Sequence, residues 1–205
     1  MEKISWILMR RWWCRMAVNY KICPNCGSMK TLKIIYGMPT HDTFVKAEEG
    51  KIKLGGCLVM DNNPEYYCSD CNYEWHRDDS VNYAYNQIKH IKAAVGGYFD
   101  GYYEVTIDLH SKELKWKHFG CGHEEEFKKI VRNATAERFV EELKSIDILN
   151  WKSQYIDLDI IDGTQWSVEI QMLGKKISRH GSNNYPESWD EFCRLMKKIS
   201  GKKFR

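Results

Sequence analysis

The sequence predicts an α+β chain: an N-terminal metal-binding module with an inserted segment, a connecting helix, then a ββαββα domain with a four-stranded antiparallel sheet. Three observations predict it. Two C-x-x-C pairs, Cys23–Cys26 and Cys68–Cys71, stand 41 residues apart. Residues 80–95 place apolar side chains at intervals of three and four, the period of a helix face. Beyond residue 98, alternating apolar and polar residues mark strands, and each apparent hairpin is followed by a helical stretch. These patterns divide the chain into an extension outside the fold (1–16), the cysteine module (17–78), the connecting helix (79–97) and the ββαββα domain (98–205).

Within the cysteine module, Lys30 to Tyr36 reads as a strand leaving the first knuckle, and Gly37-Met38-Pro39 breaks it. Thr40 or Asp42 caps a short helix over 43–49, stopped by Gly50. Lys51 to Leu54 and Cys57 to Met60 read as two short strands around Gly55-Gly56. The Asn62-Asn63-Pro64 turn then leads into a strand at Tyr66-Tyr67 that delivers the second knuckle.

Val81, Ala84, Tyr85, Ile88, Ile91 and Val95 form one helical stripe, with Asp78, Asp79 and Ser80 as candidate N-caps and Gly96-Gly97 as the stop. In the domain that follows, Tyr103, Val105, Ile107 and Leu109 alternate, and Leu114 to His118 return. Trp166, Val168, Ile170 and Met172 repeat that layout, with Lys175 to His180 returning. Helices are expected over Phe127, Ile130, Val131, Phe139, Val140, Leu143 and Ile146, and over Trp189, Phe192, Leu195, Met196 and Ile199. Ser188 and Glu191 have the spacing of a capping box for the last helix.

Charge and hydropathy restrict the function classes. The chain has 205 residues and a formal net charge of +3, with 43% hydrophobic and 13% aromatic residues. Residues 1–90 carry 12 basic against 10 acidic side chains, and residues 91–205 carry 19 against 18. Neither half has the basic excess of a nucleic-acid-binding domain. No apolar run is long enough to span a bilayer, and the run Ile4–Met9 is too short for a secretory signal. Eight cysteines without an export signal read as metal ligands in a reducing compartment, which places the protein in the cytoplasm.

Cys23, Cys26, Cys68 and Cys71 carry the strongest chemical signal. Two residues between cysteines let both thiolates of a knuckle reach one ion, and two knuckles complete the tetrahedron that structural zinc prefers. Four thiolates leave no open position, which disfavours hydrolytic zinc chemistry. Cys57, His41 and His76 lie near enough in sequence to compete as ligands. Cys121 and His123, with His110, His118 and His180, form a second cluster that suits a metal or a nucleophile–base pair, but no ligand spacing supports it. A third candidate group joins Asp162, before a predicted strand, to Ser182 and Asn183, after one; turn and capping roles explain most of it.

On the pattern Cys-Pro-Asn-Cys-Gly followed by Cys-Ser-Asp-Cys and then Trp75, residues 22–76 resemble a zinc ribbon. The resemblance implies that Cys23, Cys26, Cys68 and Cys71 hold one structural zinc and that Trp75 covers the metal end. The 41-residue spacer departs from a minimal ribbon. Ile35-Tyr36-Gly37-Met38-Pro39 and Gly55-Gly56-Cys57 resemble ribbons of uncharacterised bacterial proteins, and on Asp162-Gly163-Thr164-Gln165-Trp166 and Gly181-Ser182-Asn183-Asn184-Tyr185-Pro186 residues 150–200 resemble the C-terminal part of similarly uncharacterised bacterial proteins. The expected function is therefore a small intracellular zinc-binding adaptor with a protein partner and no membrane association. The alternatives are a nucleic-acid-binding protein and an enzyme with a site around residues 110–185.

Overall fold

A computed structural model describes residues 18–157 and 163–205. The predicted extension at 1–16 and Asp162 lie outside these residues. Two sheets organise the chain. The first has four strands in the order β2-β1-β3-β4: β1 (Thr31–Ile35), β2 (Ile52–Leu54), β3 (Tyr66–Cys68) and β4 (Glu74–Trp75). β1 and β2 run parallel, joined by helix α1 (His41–Glu48), so the insert between the knuckles contains a small βαβ crossover. The Thr40 hydroxyl accepts a hydrogen bond from the Thr43 N–H at 3.3 Å, and Gly50 follows the helix with φ 68°. Cys57 to Met60, expected as a strand, pair with no strand and form an exposed loop.

The connecting helix is shorter than its period suggests. Helix α2 spans Arg77–Asn86, and residues 88–97 are strand β5 (Ile88–Gly97). Ile91 and Val95 fit the helical stripe but also, with Ala93, a period of two, and two neighbours select the strand. β5 pairs antiparallel with β6 (Gly101–Asp108) on one side and β10 (Gln165–Met172) on the other, satisfying its backbone on both edges. The N-cap of α2 is His76, whose N–H donates to Asp79 Oδ2 at 2.9 Å.

The second sheet has seven strands in the order β8-β7-β6-β5-β10-β11-β9, in place of the expected four-stranded ββαββα layer. β7 is Glu113–Gly120, β8 His123–Ile130, β9 Gln154–Ile156 and β11 Lys175–Ser182. β8 occupies residues expected to be helical. The tight turn at Cys121-Gly122, with φ 50° and 84°, folds it back on β7 in a full antiparallel ladder. It is an edge strand whose Glu124, Glu125, Glu126, Lys128 and Lys129 discourage further pairing. Every pairing in this sheet is antiparallel except β11 with β9.

Helices α3 (Asn133–Ser145) and α4 (Trp189–Ser200) cover one face of the large sheet. Val105, Ile107, Leu114, Trp116, Val168 and Ile170 bury against Phe139, Leu143, Phe192 and Met196. The other face carries alternating charges that pair across strands, including Lys92–Glu104 at 2.9 Å, Lys117–Glu126 at 3.2 Å and Lys176–Glu169 at 3.0 Å. The predicted Ser188–Glu191 capping box does not form. The Ser188 hydroxyl instead donates to the Ile146 carbonyl at 2.9 Å and accepts from Trp151 Nε1 at 3.1 Å, while Glu191 pairs with Arg194. Among the described residues, no helix is long and apolar enough to cross a membrane.

α2 ties the two sheets together. Its Ser80 hydroxyl accepts from Trp75 Nε1 at 2.8 Å, and its Ala84 and Tyr85 are buried in the large core with Val18. Ser80→Ala leaves that buried indole N–H without its acceptor. The expected cost is about 1–3 kcal/mol, read as a lowered denaturant midpoint.

Candidate metal centre

The two knuckles are built alike. At the first, the Cys23 N–H donates to the Ser28 carbonyl and the Gly27 N–H to the Cys23 carbonyl, both at 2.9 Å. At the second, the Cys68 N–H donates to the Tyr73 carbonyl and the Asn72 N–H to the Cys68 carbonyl, again at 2.9 Å. Both turns need a left-handed residue after the second cysteine. Gly27 supplies it at φ 74° and Asn72 at φ 59°, the residue types that adopt this conformation most readily.

These turns bring Cys23, Cys26, Cys68 and Cys71 together, with all four sulfurs within 4.8 Å of one another. Cys23–Cys71 and Cys26–Cys68 are each 3.6 Å apart. A regular tetrahedron with zinc–sulfur bonds of about 2.3 Å has edges of about 3.8 Å, so the cluster has the dimensions of a four-thiolate zinc site. No disulfide links them. The donor set and its spacing therefore fit a metal ion, and four soft sulfurs suit zinc.

Electrostatics around the sulfurs favour a cation. The Tyr73 backbone N–H, outweighing burial and helped by the Asn25 side-chain amide, lowers the Cys71 thiol to about 7. Cys26 accepts from the Ser28 N–H, which lowers it, but neighbouring Cys71, burial and the other cysteines outweigh that bond and push it up to about 12. Burial pushes Cys23 up as well. Four thiolates this close need a bound cation to ionise together. Outside the ligands, Asp70 accepts from the Ser28 hydroxyl at 2.6 Å and from Lys30 Nζ at 3.2 Å, bracing one knuckle against the other. Those two bonds, Ser28 first, hold its carboxyl below the usual range.

Trp75 closes the inner side. It is 1% exposed, stacks on Tyr66 and Tyr73 at 5.6 and 6.3 Å, and packs with Cys23 and Cys68. The competing ligands fall elsewhere. Cys57 lies on the exposed loop, His41 begins α1 and His76 caps α2; among the described residues, the four cysteines are the only group with metal-binding spacing.

The second predicted cluster comes together in part, without the geometry of a metal site. His118 and His123 stack with ring centroids 4.0 Å apart and planes 23° from parallel, so their in-plane lone pairs do not converge on one ion. His118 also stacks on Tyr103 at 4.1 Å, and its Nε2–H donates to the Asp100 carbonyl at 2.9 Å. The Cys121 thiol donates to the Tyr98 carbonyl. His110 follows β6 at a turn, and exposed His180 lies on β11. Of the third group, the Ser182 hydroxyl accepts from Gln165 Nε2 at 2.9 Å, and Asn183 Oδ1 accepts from the Thr164 N–H at 2.8 Å, so both fasten the entry to β10. Sequence reasoning missed the hairpin tip that His118 and Cys121 anchor. Its signal was Tyr98-Phe99, two aromatics between Gly97 and Gly101 where a turn normally carries polar residues. The chain matches no protein-family model and no curated protein.

Proposed function

We propose that the protein is a zinc-clamped interaction protein, an adaptor whose metal centre holds a partner-binding insert in shape. One observation carries this reading: the insert between the knuckles exposes Met38, Leu58, Val59 and Met60. The two segments bearing them are fastened together. The Gly37 N–H donates to the Gly56 carbonyl at 2.9 Å, and Val59 Cγ2 fills the space above Gly37. Exposed apolar side chains gathered at one place favour burial against another protein. The closed four-thiolate centre supports a structural zinc over a catalytic one, and the free thiols suit the reducing cytoplasm. The paired lysines and glutamates of the open sheet face offer no basic stripe for a duplex.

The test is site-specific photocrosslinking in the native host, with a photoreactive residue at Leu58 or Val59 and a control at Leu173, an exposed apolar residue on the β10–β11 turn. A discrete protein adduct at 58 and 59, absent at 173, is expected. Equal adduct patterns at all three positions sink the adaptor reading.

A further inference from the structure

We propose that the cleft beside the β5–β6 hairpin binds a nucleotide unit, a planar base with its phosphate, taken from a free mononucleotide or a single strand. The cleft encloses about 240 Å³ between the hairpin tip, the segment entering β10 and the C-terminal tail. Tyr98 and Phe99 stand at its mouth, 81% and 83% exposed, with rings edge-to-face at 5.5 Å. Two adjacent aromatics left in water forgo the free energy that burying them would supply. They offer ring faces to whatever enters. On the tail side, Lys203 ion-pairs with no acid among the described residues; its Nζ lies 5.1 Å from the centroid of Tyr103, itself part of the lining. Arg205 stands beside it, its guanidinium paired with Asp190 at 2.6 Å, bonded to the Cys193 side chain and lying 5.3 Å from the centroid of Tyr185, which leaves Lys203 as the cation with no acidic partner among the described residues. Asp100 is the one acidic lining residue described. Cations opposite aromatic faces make the pairing that holds phosphates and stacked bases in single-strand grooves.

The tip is also held in place, which lowers the cost of binding. The Cys121 thiol bonds the Tyr98 carbonyl, and the His118 imidazole bonds the Asp100 carbonyl, fastening both ends of the three-residue connection. His118 is itself clamped between Tyr103 and His123. Gly97 opposes the Gly163 carbonyl so closely that a Cβ there would approach it to 3.1 Å, so the cleft floor is bare backbone.

The experiment titrates the full chain at low salt with adenosine and uridine monophosphates, a fluorescent single-stranded oligonucleotide, the matching duplex and inorganic phosphate. Micromolar binding of mononucleotides with no gain for the oligonucleotide assigns the site to free nucleotides; a gain for the oligonucleotide assigns it to strands. In either case Tyr98→Ala with Phe99→Ala, exposed positions that leave the core intact, should weaken binding about tenfold or more. Lys203→Gln should reduce the salt slope by about one. The proposal is overturned if no nucleotide binds better than inorganic phosphate, if the duplex binds as tightly as the single strand, or if the ring substitutions leave affinity unchanged.

Discussion

Cys68→Ser is expected to abolish metal binding and unfold the N-terminal module while the seven-stranded sheet stays folded. The module's own buried cluster is Cys23, Cys68 and Trp75, with Tyr66 and Cys71 half-buried against it. That is far too little apolar area to offset the ordering of some fifty residues. A metal bound by the four cysteines would supply the difference; in comparable zinc modules binding is worth about 10–16 kcal/mol. Cys68 is fully buried, so serine removes a ligand and places a hydroxyl among the remaining sulfurs. The wild-type chain should carry one zinc, and a chelator should melt the module selectively. Hydrogen exchange reads this directly, with protection lost across β1 to β4 and retained in β5, β6 and β10. Cys57→Ser, on the exposed loop, should change neither metal content nor protection. A Cys68→Ser protein that keeps zinc and the protection of β1 and β3 would refute the four-thiolate centre.

The second large effect belongs to the aromatic cluster under α4. Trp189 is buried, with ring centroids at 4.6 Å from Trp166, 5.4 Å from Tyr185, 5.6 Å from Phe192 and 6.2 Å from Trp151. Trp189→Ala empties the centre of this group and should cost about 3–5 kcal/mol. The indole Nε1–H is buried without a hydrogen-bond partner among the described residues, in contrast to Trp166 Nε1, which donates to the Asn184 carbonyl at 2.9 Å. Trp189→Phe therefore removes a desolvated donor along with some volume, and the two effects offset. The phenylalanine variant should lie well above alanine in a denaturant titration, near the wild-type midpoint. If both variants unfold at the same midpoint, the cluster depends on the indole outline and the unpaired N–H costs little.

The metal centre was the most legible part of the sequence because its requirement is local. A C-x-x-C turn sets the position of two sulfurs without help from distant residues, and the structure brings both turns to one point. Thr40 capping α1, the alternation of β6, β7, β10 and β11, and the stripe of α4 were legible for the same reason. The errors fall where two periods were compatible with the same residues. Ile88 to Val95 reads as a helix stripe if Ile91 and Val95 are counted, and as a strand if Ala93 is added. β8 carries a single inward aromatic, Phe127, among charges, which leaves almost no period to read.

By itself the sequence marked the four cysteines that the structure clusters and most of the strands flanking them, since each depends on neighbours a few residues away. Only the tertiary structure decided that residues 88–97 become the strand beside β10. That outcome needs β6 and β10, distant in the chain, to satisfy both edges of one backbone segment. It likewise decided the role of Cys121 and His118, whose residue types suit chemistry and which packing turns into anchors for the Tyr98-Phe99 tip. The physical reason is the same in both cases: hydrogen bonds and burial between distant segments outweigh the small local preferences that a sequence pattern records.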